Sequence, residues 1–300
     1  MNGKRFYALL CSLPFLLSTV GCGITAKGNQ NDTDAVNAAL KQLENCTSCT
    51  VLQITEISES LVEDGSTYEH SGTTEVEITL ITDPRLKMRN ENRSRANYDG
   101  QDVSQQIISY ILPEDGGYRE YYFDGTEWYY VFVEDEESVP DIRITDLVSL
   151  FMLETESFGK AGAERLDGAE TMRYDGNLGG TALVAYLENN GYLSNITSMS
   201  ENQQNRIKDN LAEDLDSLTL SVWVNEESGY PVRFELDLSH VLVELEDIIA
   251  ASLGNLTTDS QWILNKYSMT MILSNLNSVE DIVIPAEAKQ AAPYDQSNLS

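Results

Sequence analysis

Leu218-Thr219-Leu220-Ser221-Val222-Trp223-Val224-Asn225-Glu226-Glu227-Ser228-Gly229-Tyr230-Pro231-Val232-Arg233-Phe234-Glu235-Leu236-Asp237-Leu238 is the stretch that decides the fold class. Leu218, Leu220, Val222 and Val224 alternate with Thr219, Ser221 and Trp223, and Val232, Phe234, Leu236 and Leu238 alternate with Arg233, Glu235 and Asp237. Successive side chains of a strand point to opposite faces, so each run has one face for a core and one for water. The intervening Glu226-Glu227-Ser228-Gly229-Tyr230-Pro231 is rich in turn formers and reverses the chain. Two alternating runs joined by a short turn make an antiparallel hairpin with one covered side.

The same signature recurs outward from this hairpin. Strands are predicted over 50–58, through Val76, Ile78 and Leu80, at Leu86 and Met88, and over 107–112, 118–123 and 127–133. Asp124-Gly125 marks a tight turn between the last two. Residues 160–174 read as a hairpin turning at Asp167-Gly168, and Tyr267, Met269, Met271 and Leu273 read as a final strand. Helical spacing is found over 34–45, where Val36, Ala39, Leu40 and Leu43 share a face, and again over 141–152, 181–188, 201–215 and 241–253. Roughly ten strands, mostly neighbours in sequence and interrupted by a few helices, define an α+β chain with an antiparallel sheet. With no internal repeat and no linker beyond Thr33, residues 34–288 are expected to form one domain, and the polar residues 289–300 a loose tail.

The N-terminal residues carry a different message. Lys4 and Arg5 precede an uncharged segment, 6–20, that is too short to span a bilayer and contains Pro14. It ends in Thr19-Val20-Gly21-Cys22, which resembles the bacterial lipobox. Residues 1–21 are therefore expected to be a signal peptide, Cys22 a lipidated cysteine, and residues 22–33 a flexible tether. Two or three acyl chains on Cys22 would hold the chain on the extracytoplasmic face of the cell membrane, each buried methylene contributing about 0.8 kcal/mol.

Composition limits the partners. The chain has 49 acidic and 19 basic residues, a net charge of −30. Removal of Lys4 and Arg5 would leave it more acidic still. A nucleic-acid partner is excluded by sign, because phosphate binding needs basic side chains. An anionic membrane surface is disfavoured for the same reason.

Cys46-Thr47-Ser48-Cys49 has the C-x-x-C spacing of a local disulfide, a redox pair or half of a zinc site. A disulfide is the expected state outside the cell, with two free thiols as the alternative. A zinc site would need two further ligands, and the chain's histidines, His70 and His240, lie far away in sequence. His70 is expected to be exposed and His240 to sit at a strand-to-helix corner. Neither stands in a catalytic signature such as G-x-S-x-G. No enzyme activity, cofactor or metal is read from the sequence.

The aromatic run Tyr118, Tyr121, Tyr122, Phe123, Trp128, Tyr129, Tyr130 and Phe132 is the most distinctive local feature. Trp128, Tyr130 and Phe132 share one strand face and Tyr129, Val131 and Val133 the other, so both faces are covered or one lines a hollow. Trp128, Tyr130 and Phe132, with Val222, Val224, Phe234, Leu236, Met269 and Met271, are the candidate lining of an apolar cavity. Sites of that kind usually measure about 300–1,000 Å³.

Residues 166–174 (Leu166-Asp167-Gly168-Ala169-Glu170-Thr171-Met172-Arg173-Tyr174), 222–234, 273–279 and the ending Ile284-Pro285-Ala286-Glu287-Ala288 resemble uncharacterised Gram-positive lipoproteins related to the lipoprotein-localisation-factor-like (LolA-like) carriers. The resemblance covers most of 34–288. It implies a strongly curved antiparallel sheet, a half-barrel, wrapped around a few helices, with an apolar hollow that holds acyl chains in some relatives. It implies no catalytic residue. The expected role is a membrane-anchored, non-catalytic binding or carrier module for an apolar or lipid-like ligand. The alternative is a structural or protein-interaction lipoprotein of the envelope, its core filled and its partner another envelope protein.

Overall fold

The computed structural model describes residues 30–63, 65–134, 142–151, 157–197, 199–253 and 260–294. Cys22, the signal segment, most of the tether and residues 295–300 lie outside the described residues. The chain runs α1 (Gln30–Leu43), β1 (Ser48–Glu63), β2 (Ser66–Ile81), β3 (Lys87–Tyr98), β4 (Gln101–Glu114), β5 (Gly117–Phe123), β6 (Trp128–Val133) and the single turn α2 (Ile144–Leu147). It continues through β7 (Phe158–Leu166), β8 (Ala169–Leu178), α3 (Gly180–Asn189), α4 (Glu201–Asp214), β9 (Leu218–Asn225), β10 (Pro231–Asp237), α5 (Ser239–Leu253), β11 (Ser260–Ser274) and the short β12 (Ala292–Pro293).

All described strands join one curved sheet in the order β12-β6-β5-β4-β3-β2-β1-β11-β10-β9-β8-β7, unclosed because β12 and β7 remain at opposite edges. Every pairing is antiparallel except the parallel contact of β12 with β6. The α+β class and the antiparallel sheet are as the sequence predicts; the described strands number twelve rather than roughly ten. One addition is β12, inside the segment expected to be a loose tail. The N-terminal boundary also moves. α1 begins at Gln30, and its first turn is bound to the sheet: Thr33 Oγ1 accepts from Phe158 N at 2.9 Å and Asp32 Oδ2 from Lys160 N at 3.3 Å. The last four residues of the expected tether are therefore part of the folded body.

Residues directly opposite in paired strands share a face, so register carries face assignment across the sheet. One face holds the helices. Val36 and Leu43 of α1, Ile144 and Leu147 of α2, Leu183 and Leu187 of α3, Ile207 and Leu211 of α4, and Val241 and Leu245 of α5 pack with Val51, Leu80, Leu220, Val222, Phe234, Leu236, Met269 and Met271 in one core. Phe234 is fully buried and its ring lies 5.6 Å from that of Phe151. This is the covered side that the hairpin pattern predicts, and burying each such side chain contributes about 1.5–3 kcal/mol.

On the opposite face a smaller cluster forms toward β4–β6, under a different element. Val279, Ile282, Ile284, Ala288 and Ala291 of the C-terminal segment pack over Tyr110, Tyr121, Trp128 and Tyr130. Helices cover one side of one end of the sheet, and this strap covers the other side of the other end.

Candidate functional site

Register places the expected cavity residues on opposite sides. From the helix side, Val51 pairs with Ile78, Ile78 with Asn90, Asn90 with Ser109, Ser109 with Tyr122 and Tyr122 with Tyr129. Tyr129 is thus on the helix side, and Trp128, Tyr130 and Phe132 are on the outer face. Trp128 and Tyr130 pack under the C-terminal strap, and Phe132 is 38% exposed. Val222, Phe234, Leu236, Met269 and Met271 are at most 2% exposed in the helix-side core, with Val224 half-buried against them. The two groups do not form one lining. Alternation showed that each group shared a face; nothing local to 128–132 could show that its cover is 150 residues downstream.

The cysteines also differ from expectation. Cys46 and Cys49 are free thiols, both buried. Cys46 lies in the loop after α1, its Sγ 3.8 Å from Gln42 O and accepting from Asn277 Nδ2 at 3.6 Å. Cys49 stands in β1 on the core face, and burial, then the neighbouring Cys46, pushes its thiol up to about 12.

The surface that stands out is the helix-side face of β1–β4. Positions 49, 51, 53, 55 and 57 on β1, and 72, 74, 76, 78 and 80 on β2, share it with 88, 90, 92, 94 and 96 on β3 and 103, 105, 107, 109 and 111 on β4. None of these twenty residues is charged. A chain with 23% charged residues would place about four or five there by chance. Glu56, Glu75, Glu77, Arg89, Glu91, Arg93 and Arg95 all occupy alternate positions and point to the outer face. There Glu91 is 3% exposed; it accepts from Arg93 Nε and Gln106 Nε2, each at 2.6 Å, and pairs with Arg89. Burial alone would raise its carboxyl, but those hydrogen bonds and the charges of Arg89 and Arg93 hold it below the ordinary value.

The uncharged face is graded. Near the helices it is apolar and closed by Val51, Leu80, Met88 and Ile111. Its middle carries hydrogen-bonding side chains without charge. Thr74 Oγ1 lies 3.3 Å from Ser94 Oγ, Ser94 Oγ donates to Asn92 Oδ1 at 3.2 Å, and the buried Asn90 Oδ1 accepts no bond. Toward β4 and β5 it opens to solvent through Val103, Ile107 and Tyr122, exposed by 56%, 41% and 39%. A cleft of about 650 Å³ crosses β1–β4 where this face ends, but its lining joins Ile57, Gly72, Ala96 and Val103 to the outer-face residues Glu56, Arg95, Asp102 and Lys266, so it is a charged cleft and not part of the uncharged face. At Gly72 the strands pack closely, since a Cβ there would lie 3.2 Å from Arg95 O and 3.5 Å from Ile57 Cγ2.

A polar boundary ends the face. Glu59 accepts from Trp262 Nε1 at 2.9 Å, lies 2.9 Å from His70 Nδ1, and is 9% exposed. The His70 ring stacks on Tyr98 at 4.5 Å and 6°. His70 was expected to be exposed; its side chain is 10% exposed because β1 and β3 flank it. His240 is the second residue of α5, as expected of a helix-entry position. Among the described residues no helix is long and apolar enough to cross a membrane.

No family model matches the chain, and no curated protein matches it significantly. Solved structures do. The chain aligns over 87% of its length, and 98% of the other's, with LprF from Mycobacterium bovis, at 12% identity and a TM-score of 0.42. It aligns over 86% of its length, and all of the other's, with the Mycobacterium tuberculosis lipoprotein LppX, at 13% identity and a TM-score of 0.36. A Vibrio parahaemolyticus domain named for outer membrane lipoprotein sorting aligns over 87% of this chain and 97% of its own, at 9% identity and a TM-score of 0.22. Scores this low at this identity establish no shared ligand, so the chain's own faces must carry the functional argument.

Proposed function

We propose that the chain is an extracytoplasmic, membrane-anchored binding module without catalytic residues, and that its ligand is an uncharged, largely apolar amphiphile seated on the helix-side face of β1–β4. The observation that carries this reading is the complete exclusion of charge from twenty positions of β1–β4 in so acidic a chain. A face meant only for water gains from charge; a face meant for hydrocarbon loses several kcal/mol for each charge it must desolvate. The apolar closed end suits acyl or other hydrocarbon chains, and the Thr74, Asn90, Asn92 and Ser94 zone suits hydroxyl, ester or amide groups. Lipid on Cys22 supplies the anchor in this reading.

The filled stripe of Val222, Phe234, Leu236, Met269 and Met271 favours a second reading for the other end of the sheet. There the chain's own side chains occupy the interior, as in a structural or protein-interaction lipoprotein.

A fluorescent fatty-acid ester and its free acid, titrated into the purified protein, separate the two readings. The ester should bind more tightly than the acid. Ile107→Asp, on the uncharged face, should weaken it by about tenfold or more, equivalent to about 1.4 kcal/mol. Ser104→Asp, on the outer face of the same strand, should leave it unchanged. No ester binding by the folded protein, or equal loss in both variants, would remove the ligand reading and leave the interaction module. For the anchor, intact-mass analysis of the membrane fraction should show acyl chains on Cys22, absent from Cys22→Ala.

A further inference from the structure

Asp216, His240 and Glu244 bring one ligand atom each within 4.8 Å of one another on the surface of the helix layer. Asp216 lies in the connection from α4 to β9, and His240 and Glu244 are one turn apart on α5. His240 Nδ1 is 3.4 Å from Glu244 Oε1 and 3.9 Å from Asp216 Oδ2. These separations exceed the 2.7–3.2 Å of a good N–H···O hydrogen bond, so the three groups converge without bonding well to one another. The His240–Glu244 separation matches neighbouring donors around one tetrahedral ion, since N and O ligands at about 2.0–2.2 Å stand roughly 3.3–3.6 Å apart, and the exposed Asp216 carboxylate at 3.9 Å has only to close in by a few tenths of an ångström. The Glu244 carboxylate is held in place. Glu244 Oε2 accepts from Asp216 N at 3.0 Å, which fixes the side chain and leaves Oε1 directed at the imidazole. Orientation of a ligand oxygen by a backbone hydrogen bond to its partner is a recurrent property of metal sites.

We propose that Asp216, His240 and Glu244 form a binding site for a divalent transition metal of the zinc class, completed by water. One imidazole nitrogen with two carboxylates suits zinc or cobalt rather than calcium or magnesium, which take oxygen ligands alone. The N-terminal end of α5 carries a positive partial charge that disfavours a cation, and the two carboxylates outweigh it. Bound metal would tie α5 to the α4–β9 connection and so fasten the helix layer from outside. The site lies apart from the uncharged face and does not depend on its reading.

Cobalt chloride titrated into the untagged, full-length protein tests this. One equivalent should produce a visible d–d absorption band and raise the melting temperature, while magnesium and calcium do neither. His240→Ala and Asp216→Asn should each weaken cobalt binding by about 10–100-fold, and both variants should melt near the metal-free parent. The variant Cys46→Ser/Cys49→Ser should bind cobalt as the parent does. No band at millimolar cobalt, or a band unchanged in His240→Ala, would overturn the assignment. Loss of the band in the cysteine variant, with sulfur-to-metal charge transfer in the parent, would move the metal to the thiols and overturn it equally.

Discussion

Single residues show how strongly the two faces are separated. Glu91 is a nearly buried carboxylate on the outer face, and its partners hold it below the ordinary range. Its protons are released more readily in the folded chain than in the unfolded one. The stability it contributes is present above the unfolded value of about 4.3 and is lost as pH falls through the folded value. Glu91→Gln should cost about 2 kcal/mol at pH 7, the scale of a hydrogen bond to a charged group, and flatten the acid limb of stability. Urea midpoints of parent and variant between pH 7 and pH 3 measure both. Cys49 gives an opposite case, a thiol pushed up to about 12 by burial. Iodoacetamide at pH 8 should spare it in the folded protein and label both Cys46 and Cys49 after denaturation without reductant. Labelling that needs reductant would restore the disulfide suggested by the C-x-x-C spacing.

Elements differ in how openly the sequence announces them. The β9–β10 hairpin and β11 are legible because one face is apolar and the other is not, so a period of two is visible. β3 is the opposite. Only Met88 and Ala96, at its two ends, mark its helix-side face as apolar, while Asn90, Asn92 and Ser94 lie between them and Arg89, Glu91, Arg93 and Arg95 line the other. With both faces polar, hydrophobic alternation vanishes, and only the pairing with β2 and β4 reveals a strand of twelve residues. The charge segregation that defines the candidate site needs that pairing too: each strand contributes a few uncharged positions, and their sum becomes visible only once register aligns them. The aromatic strands β5 and β6 were legible as strands, but their cover was not, since it comes from 279–291. That strap should matter energetically. Ending the chain after Glu287 removes the fully buried Ala288 and β12, and should cost on the order of 2 kcal/mol with a rise in binding of an apolar dye. Unchanged melting and dye binding would show that the strap is ornamental.

At the scale of the whole molecule, the unclosed sheet leaves two edges, and one is guarded by the first turn of α1. β7 carries Gly159, Gly162 and a break in register between Lys160 and Gly162, with Lys160, Glu164 and Arg165 along it. A strand edge with free N–H groups is a template for another chain, and bends and charges are the usual protection. Here α1 adds a further one, since Asp32 and Thr33 accept the N–H groups of Lys160 and Phe158. A soluble version begun at Asp34, where composition alone places the domain boundary, would keep its core yet uncover that edge. It should self-associate with rising concentration in analytical ultracentrifugation, while a version begun at Gly28 stays monomeric. Monomeric behaviour of both would show that the bend and charges of β7 suffice. Residues 30–33 thus act as a stopper against strand-to-strand growth, and such a stopper is worth most where copies of the chain are crowded together.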